Sequence, residues 1–257
     1  MDAYYAKKAL RILQREGPVA LAKSSKAFIF SKKHIFSLQT LKNKYVNRII
    51  YDAPAGPNKL IWVSTKRINY ANSSVCKECG LGQIKAGDWD RNKSSYRRDN
   101  WRYKGLKQRY VDGYDWEDTL YIEKYEEKLE STGSASGCDT MEEFLDGRCS
   151  YLDELYEEFK ENGYRLNRSG KVEKETRTQW KDAYEPFASL ARNGEIHLNE
   201  GNHRRALAEF AGIKKIPLNV LCRHTQWQEL RDDICNNGLY GEQEKLRNHP
   251  DLQDILN

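Results

Sequence analysis

No apolar run in this chain approaches the eighteen or so residues that a membrane-spanning helix needs, which argues against a helical transmembrane protein. Lys7, Lys8, Arg11, Arg15 and Glu16 interrupt every apolar stretch near the start, so no secretory leader is read and the expected compartment is the cytoplasm, with thiols reduced. Cysteine is sparse and poorly clustered. Cys76 and Cys79 form the one closely spaced pair; Cys138 and Cys149 lie too far apart in sequence to make the second half of a standard zinc site. Zinc at Cys76 and Cys79 is therefore a weak candidate against two ordinary thiols. No repeat of fixed period and no heptad run is present, which leaves solenoids and coiled coils aside.

Acidic residues are nearly missing from positions 1–50, where eleven Lys and Arg face two acids. They crowd instead into 112–163, where seventeen acids face four bases. The net charge of +5 over 257 residues thus hides a strongly polarised chain. Such a field can orient a polyanion, or it can reflect two regions that pack charge against charge.

The most informative stretch is 193–224. Asn193-Gly194 is a hairpin signal, because both residues tolerate the positive φ of a type I′ turn; strands are expected at 187–192 and 195–198. Glu200-Gly201-Asn202 then predicts a turn, with Asn202 capping a helix whose Ala206, Leu207, Phe210 and Ala211 share one face. Gly212 ends that helix, and 216–221 returns as a strand. The first turn of the helix carries His203, Arg204 and Arg205. Cations are disfavoured at a helix N-terminus by about 0.3–1 kcal/mol each, so their presence there suggests a bound anion. The plainer reading is a solvated arginine pair beside a cap.

Gly201-Asn202-His203-Arg204, the helix after it, Ala211-Gly212 and Ile216-Pro217-Leu218-Asn219-Val220 resemble the phosphate-binding segment of the ParB/sulfiredoxin superfamily. An upstream helix at 151–162, closed by Asn162-Gly163, fits the same order, so the resemblance covers roughly 150–224. It implies an α+β fold: a ParB/sulfiredoxin-like C-terminal domain with a small sheet and flanking helices, preceded by a helical, basic N-terminal region. It also implies phosphate binding by Gly201, His203 and Arg204, with Arg205 a weaker member; the amide of Asn202 at the helix head is read as adding to the same seat. Sulfiredoxins carry a cysteine where this chain has Asn202, so sulfinic acid reduction is not expected. The partition-type motif has a third arginine and a glutamate where Ala206 and Asn202 stand, which puts a CTP clamp in doubt. If phosphotransfer, NTP hydrolysis or nuclease chemistry occurs, His203 is the expected proton donor and Glu200 the base or Mg²⁺ ligand beside a nucleotide.

A second stretch interleaves aromatic and basic residues. From Trp89 to Tyr110 there are eight bases, two acids and five aromatics, a composition that tracks phosphates while stacking bases. A nucleic-acid-binding module, DNA included, would use Arg97, Arg98, Trp101, Arg102 and Tyr103. The plainer reading places the aromatics in the core. A third reading, a non-enzymatic membrane-surface scaffold, docks through the basic amphipathic residues 1–36. The organisation expected is a basic helical segment at 1–52, an aromatic and basic region at 53–130 packed on the C-terminal domain, a Ser/Gly linker at 131–137, the ParB/sulfiredoxin-like domain at 138–236 and a tail at 237–257. Oligomeric state is not legible.

Overall fold

The computed structural model describes residues 13, 18, 32–167 and 183–256. The helices expected at 3–16 and 18–36, and the membrane contact expected through 1–36, fall mostly outside them. Among the described residues, helix α1 (Lys32–Ile50) opens the chain. Strands β1 (Leu60–Ser64), β2 (Tyr70–Ala71), β3 (Gln83–Lys85) and β4 (Ser94–Ser95) follow. Helices α2 (Trp101–Lys107), α3 (Leu120–Thr132) and α4 (Ser150–Asn162) fill the middle. The C-terminal part runs β5 (Phe187–Leu190), β6 (Ile196–Leu198), α5 (Asn202–Phe210), β7 (Lys215–His224) and α6 (Thr225–Asn237). The fold is mixed α and β, as the pattern of elements predicts.

The strands form one sheet in the order β1-β7-β5-β6-β2-β4, with β3 continuing beyond β1 along the same edge of β7. β7 is its spine: β1 lies antiparallel to it, while β5 and β3 lie parallel. The apolar pattern stops at Leu221, but the strand continues through Cys222, Arg223 and His224, all buried. Arg223 can be buried there because Asp251 accepts two bonds from its guanidinium, at 3.0 and 2.5 Å. A buried cation is tolerated only with a partner of this kind.

The turn between β5 and β6 departs from expectation. A type I′ turn needs positive φ at both central residues, yet Gly194 has φ +81° and Asn193 is not left-handed. The Gly194 amide donates to the Ala191 carbonyl at 3.0 Å, and the Asn193 side chain accepts from the Glu195 amide at 3.1 Å. The asparagine therefore closes the turn through its side chain rather than its backbone.

The stretch expected as a linker, 131–137, is instead an ordered part of the structure. α3 runs on to Thr132, and Ala135 and Cys138 exchange backbone bonds of 2.8 and 3.0 Å in a tight turn. Ala135 is buried in a hydrophobic cluster that also holds Ile61, Tyr121, Leu152, Leu190, Leu218 and Leu252. Residues on both sides of the expected boundary thus share one core. The cause is apolar content that composition hid: Ala135 contributes its methyl group from within a run of serines and glycines.

No described helix is long and apolar enough to cross a membrane.

Candidate functional site

β6 delivers the chain to Asn199-Glu200-Gly201, and α5 begins at once. Gly201, not Asn202, occupies the cap position, with φ +90° and ψ +29°. Glycine is required there twice over. The conformation is left-handed, and a Cβ would lie 2.5 Å from the Pro186 side chain. Gly201→Ala should therefore cost about 1–3 kcal/mol of folding stability, readable as a lowered urea midpoint with unchanged slope.

Asn202, freed from capping, is held from outside the helix. Tyr96 Oη donates to its carbonyl at 2.6 Å, and Asn100 Nδ2 donates to its side-chain oxygen at 3.0 Å. Among the described residues no acceptor meets the backbone amides of Asn202, His203 or Arg204; the first helical bond is from the Arg205 amide to the Gly201 carbonyl, at 3.0 Å. These amides head a helix beside a cavity of about 1250 Å³. Open amides and the positive end of a helix favour an anion.

The cavity's charge agrees. Among the described residues, Lys77, Lys93, Arg102, Arg148 and Arg204 line it against one carboxylate, Glu200. The two lysines are compensated, Lys77 by Glu200 at 2.6 Å and Lys93 by Glu195. Arg102 and Arg148 have no carboxylate partner among the described residues. Arg102 lies over the Trp101 ring, 4.2 Å from its centre. Arg148 Nη2 donates to His203 Nδ1 at 3.1 Å, while its Nε is buried with no acceptor. An uncompensated, partly buried guanidinium is costly unless something anionic completes it.

His203 is not arranged as a proton donor. A guanidinium can only donate, so Nδ1 must accept, the ring is neutral, and Nε2–H faces Tyr121 Oη at 2.8 Å. Burial first, then the charges of Arg148 and Arg102, hold its pKa well below the usual value. Glu200, expected to tune it, is engaged by Lys77 instead. The same positive field acts on Tyr125: burial pushes the phenol up, but hydrogen bonding with Ser136 and the charge of Arg102 outweigh it and the net shift is downward. Ser136, beside it in the cavity wall, has left-handed φ, +56°.

Folded-state depression of histidine has a predictable sign. His197, His203 and His249 are all held below the ordinary value, in each case chiefly by burial. Below an unfolded pKa of about 6.5 the unfolded chain binds more protons, so stability present at neutral pH is lost as pH falls from there towards the folded values. Each histidine contributes a slope of up to about 1.4 kcal/mol per pH unit. Urea melts at pH 7.5 and 5.5 should show the drop, and His203→Gln should reduce it.

The two arginines of the motif go separate ways. Arg204 reaches the cavity wall, but its Nε donates to Tyr164 Oη at 3.1 Å and its Nη2 to the Arg165 carbonyl at 2.6 Å, with Glu185 3.8 Å away. Two of its five N–H donors are thus already used. Arg205 does not line the cavity. It is fully buried, pairs with Glu209, donates to the Thr65 and Ile68 carbonyls at 2.7 and 3.1 Å, and stacks on Tyr96. Its place in an expected phosphate site is corrected to a structural one: one residue of helical advance, about 100°, turns it from the cavity to the core.

The aromatic and basic stretch is divided in the same way. Tyr103 is buried between Tyr96 and Phe210, and Trp101 packs against Tyr121 and Tyr125. Arg97 pairs with Glu209 at 2.8 Å and exposed Arg98 with Asp99 at 2.8 Å. Of the five residues expected to grip a strand, only Arg102 lines the cavity. Cys76 and Cys79 are joined as a disulfide in this structure. Among the described residues no group of three His, Cys, Asp or Glu side chains could hold a metal ion.

No family model, curated protein or solved structure matches this chain. The site therefore rests on its own geometry. Sequence reasoning passed over Arg148, Tyr121, Tyr125, Lys77 and Lys93. Arg148 did leave a signal: the residues three and four positions away on either side are Phe144, Leu145, Tyr151 and Leu152. A lone cation on an apolar helical face is a rule broken locally, and such breaks mark candidate sites.

Proposed function

We propose that this chain binds a phosphorylated ligand, a nucleotide or a nucleic-acid phosphate, in the cavity at the head of α5. The amides of Asn202, His203 and Arg204 receive phosphate oxygens, and Arg102 and Arg148 supply the charge-assisted bonds. The observation that carries this reading is the pair of cavity-lining guanidiniums with no carboxylate partner among the described residues, beside open helix-terminal amides. Arg204 supports the wall through Tyr164 and Glu185 rather than acting as the main clamp. The succession of β5, β6, Gly201, α5 and β7 is consistent with a ParB/sulfiredoxin-like segment, and the fold is read in that sense as part of the same proposal. Mg²⁺ arriving with a nucleotide would meet Glu200, the carboxylate in the wall among the described residues. Binding is the activity this arrangement favours, because His203 is neutral and doubly bonded and so poorly placed to donate a proton.

The experiment is a thermal-shift screen of nucleoside mono-, di- and triphosphates, inorganic phosphate and a short oligonucleotide, with and without Mg²⁺. A ligand at a hundred times its Kd adds about 2.7 kcal/mol of apparent stability. The expected result is a shift for wild type that vanishes in Arg102→Ala/Arg148→Ala. Equal shifts in the two proteins, or none for any phosphate compound, would remove the proposed seat.

A further inference from the structure

α1 is amphipathic, but it is docked with a largely polar side inward. Phe36, Thr40, Asn43 and Asn47 recur at helical spacing and face the body of the protein. Asn43 Nδ2 donates to the carbonyls of Cys79 and Leu81 at 3.0 and 2.9 Å, Asn47 Nδ2 to Gly82 at 2.7 Å, and Thr40 Oγ1 accepts from the Leu81 amide at 3.0 Å. Contact is close: a Cβ on Gly80 would sit 2.4 Å from the Thr40 nitrogen. The helix is therefore fixed by Phe36, buried against Tyr184 and Phe187, and by hydrogen bonds to a loop, while a second apolar side points to solvent. Leu38, Leu41, Tyr45 and Ile49, spaced three, four and four residues apart, are 59%, 49%, 56% and 85% exposed. They make a stripe about 16 Å long, taking a rise of about 1.5 Å per residue.

Surface helices normally bury the apolar side, and a continuous exposed stripe marks a contact surface. Its charge identifies the contact. Lys42 flanks the stripe on one side and Arg48 and Lys44 on the other, and the nineteen residues of α1 hold no acid. A second copy of the chain docked stripe to stripe would set these cations against themselves. Residues 1–31 carry six Lys and Arg against Asp2 and Glu16, so covering the stripe with them would also oppose like charges. A surface apolar within and anionic at its rim satisfies both features at once.

We propose that α1 is an interfacial helix that seats the protein on an anionic lipid bilayer, with Leu38, Leu41, Tyr45 and Ile49 entering the acyl boundary and Lys42, Lys44 and Arg48 meeting the headgroups. This inference does not depend on the phosphate cavity. The test is co-sedimentation of the full chain with phosphatidylcholine vesicles, with and without phosphatidylserine, for wild type, Leu41→Ser/Ile49→Ser and Lys42→Glu/Arg48→Glu. Both substituted pairs are exposed, so folding is checked by unchanged circular dichroism. Expected are binding that requires phosphatidylserine, at least about tenfold weaker partitioning for the serine pair, and a comparable loss for the charge-reversed pair. No binding of wild type to phosphatidylserine vesicles overturns the proposal, as does binding indifferent to both variants. A concentration-dependent dimer abolished by the serine pair would assign the stripe to a second copy. A lowered melting temperature for that pair without vesicles, with vesicle binding retained, would assign it to cover from within the chain.

Discussion

Arg148→Met should leave the unliganded protein within about 1 kcal/mol of wild type, or above it, while abolishing stabilisation by any phosphate ligand. The two halves of this result have separate causes. Removing the guanidinium deletes a cation that no described carboxylate compensates and an Nε that no acceptor meets. Burying such a charge costs several kcal/mol, whereas the charge-assisted bond it gives to His203 Nδ1 is worth about 1.5–3 kcal/mol. The ligand loses its principal charged partner, so the gain of about 2.7 kcal/mol expected at a hundred times Kd disappears. A third readout is independent of ligand. Arg148 is the largest charge acting on His203 after burial itself, so the variant should let that histidine titrate closer to its ordinary range, as an NMR pH titration would show. An unliganded protein destabilised by several kcal/mol would mean that Arg148 is an ordinary structural cation and that the cavity has no anion seat.

Arg205→Ala should do the reverse. Its guanidinium is fully buried, pairs with Glu209, satisfies the carbonyls of Thr65 and Ile68 and lies 4.3 Å from the centre of the Tyr96 ring. Breaking a buried ion pair from one side typically costs about 3–5 kcal/mol. For a domain of this size that is about 10 °C of melting temperature. Glu209 keeps Arg97 as a second partner and the Thr65 carbonyl keeps Arg97 Nη2 at 3.5 Å, so the uncompensated group is chiefly the Ile68 carbonyl. Any protein that folds at low temperature should bind the phosphate ligand as wild type does. A stable Arg205→Ala variant that has lost binding would restore the residue to the site and overturn its structural role.

These opposite expectations for two arginines show where the sequence could be read and where it could not. The strand, glycine turn, helix and returning strand of 187–221 were legible, because period, capping chemistry and glycine are local properties. The cap itself falls one residue earlier than they predict: Asn202 is expected there, and Gly201 occupies it with no side chain to cap the amides. The partners of the arginines do not follow from local properties. Arg204 meets Tyr164 and Glu185, Arg205 meets Thr65 and Ile68, and Arg148 meets His203, all at separations of about 20 to 140 residues. Composition also gave the stretch 89–110 a nucleic-acid character that the fold spreads out, since its aromatics pack inward and three of its eight bases, Lys93, Arg97 and Arg109, pair with acids on other elements.

From the residue order alone came the mixed α and β class, the bend at Gly201 and the expectation that an anion belongs at the head of the helix after it. Local steric and capping rules suffice for those, because they act within a few residues. Only the tertiary structure decided which cations face the cavity, which are locked in ion pairs, and that α1 turns its leucines outward. Those outcomes depend on what each side chain meets across the sheet, and the burial or compensation of a charge is set by neighbours that the sequence does not place.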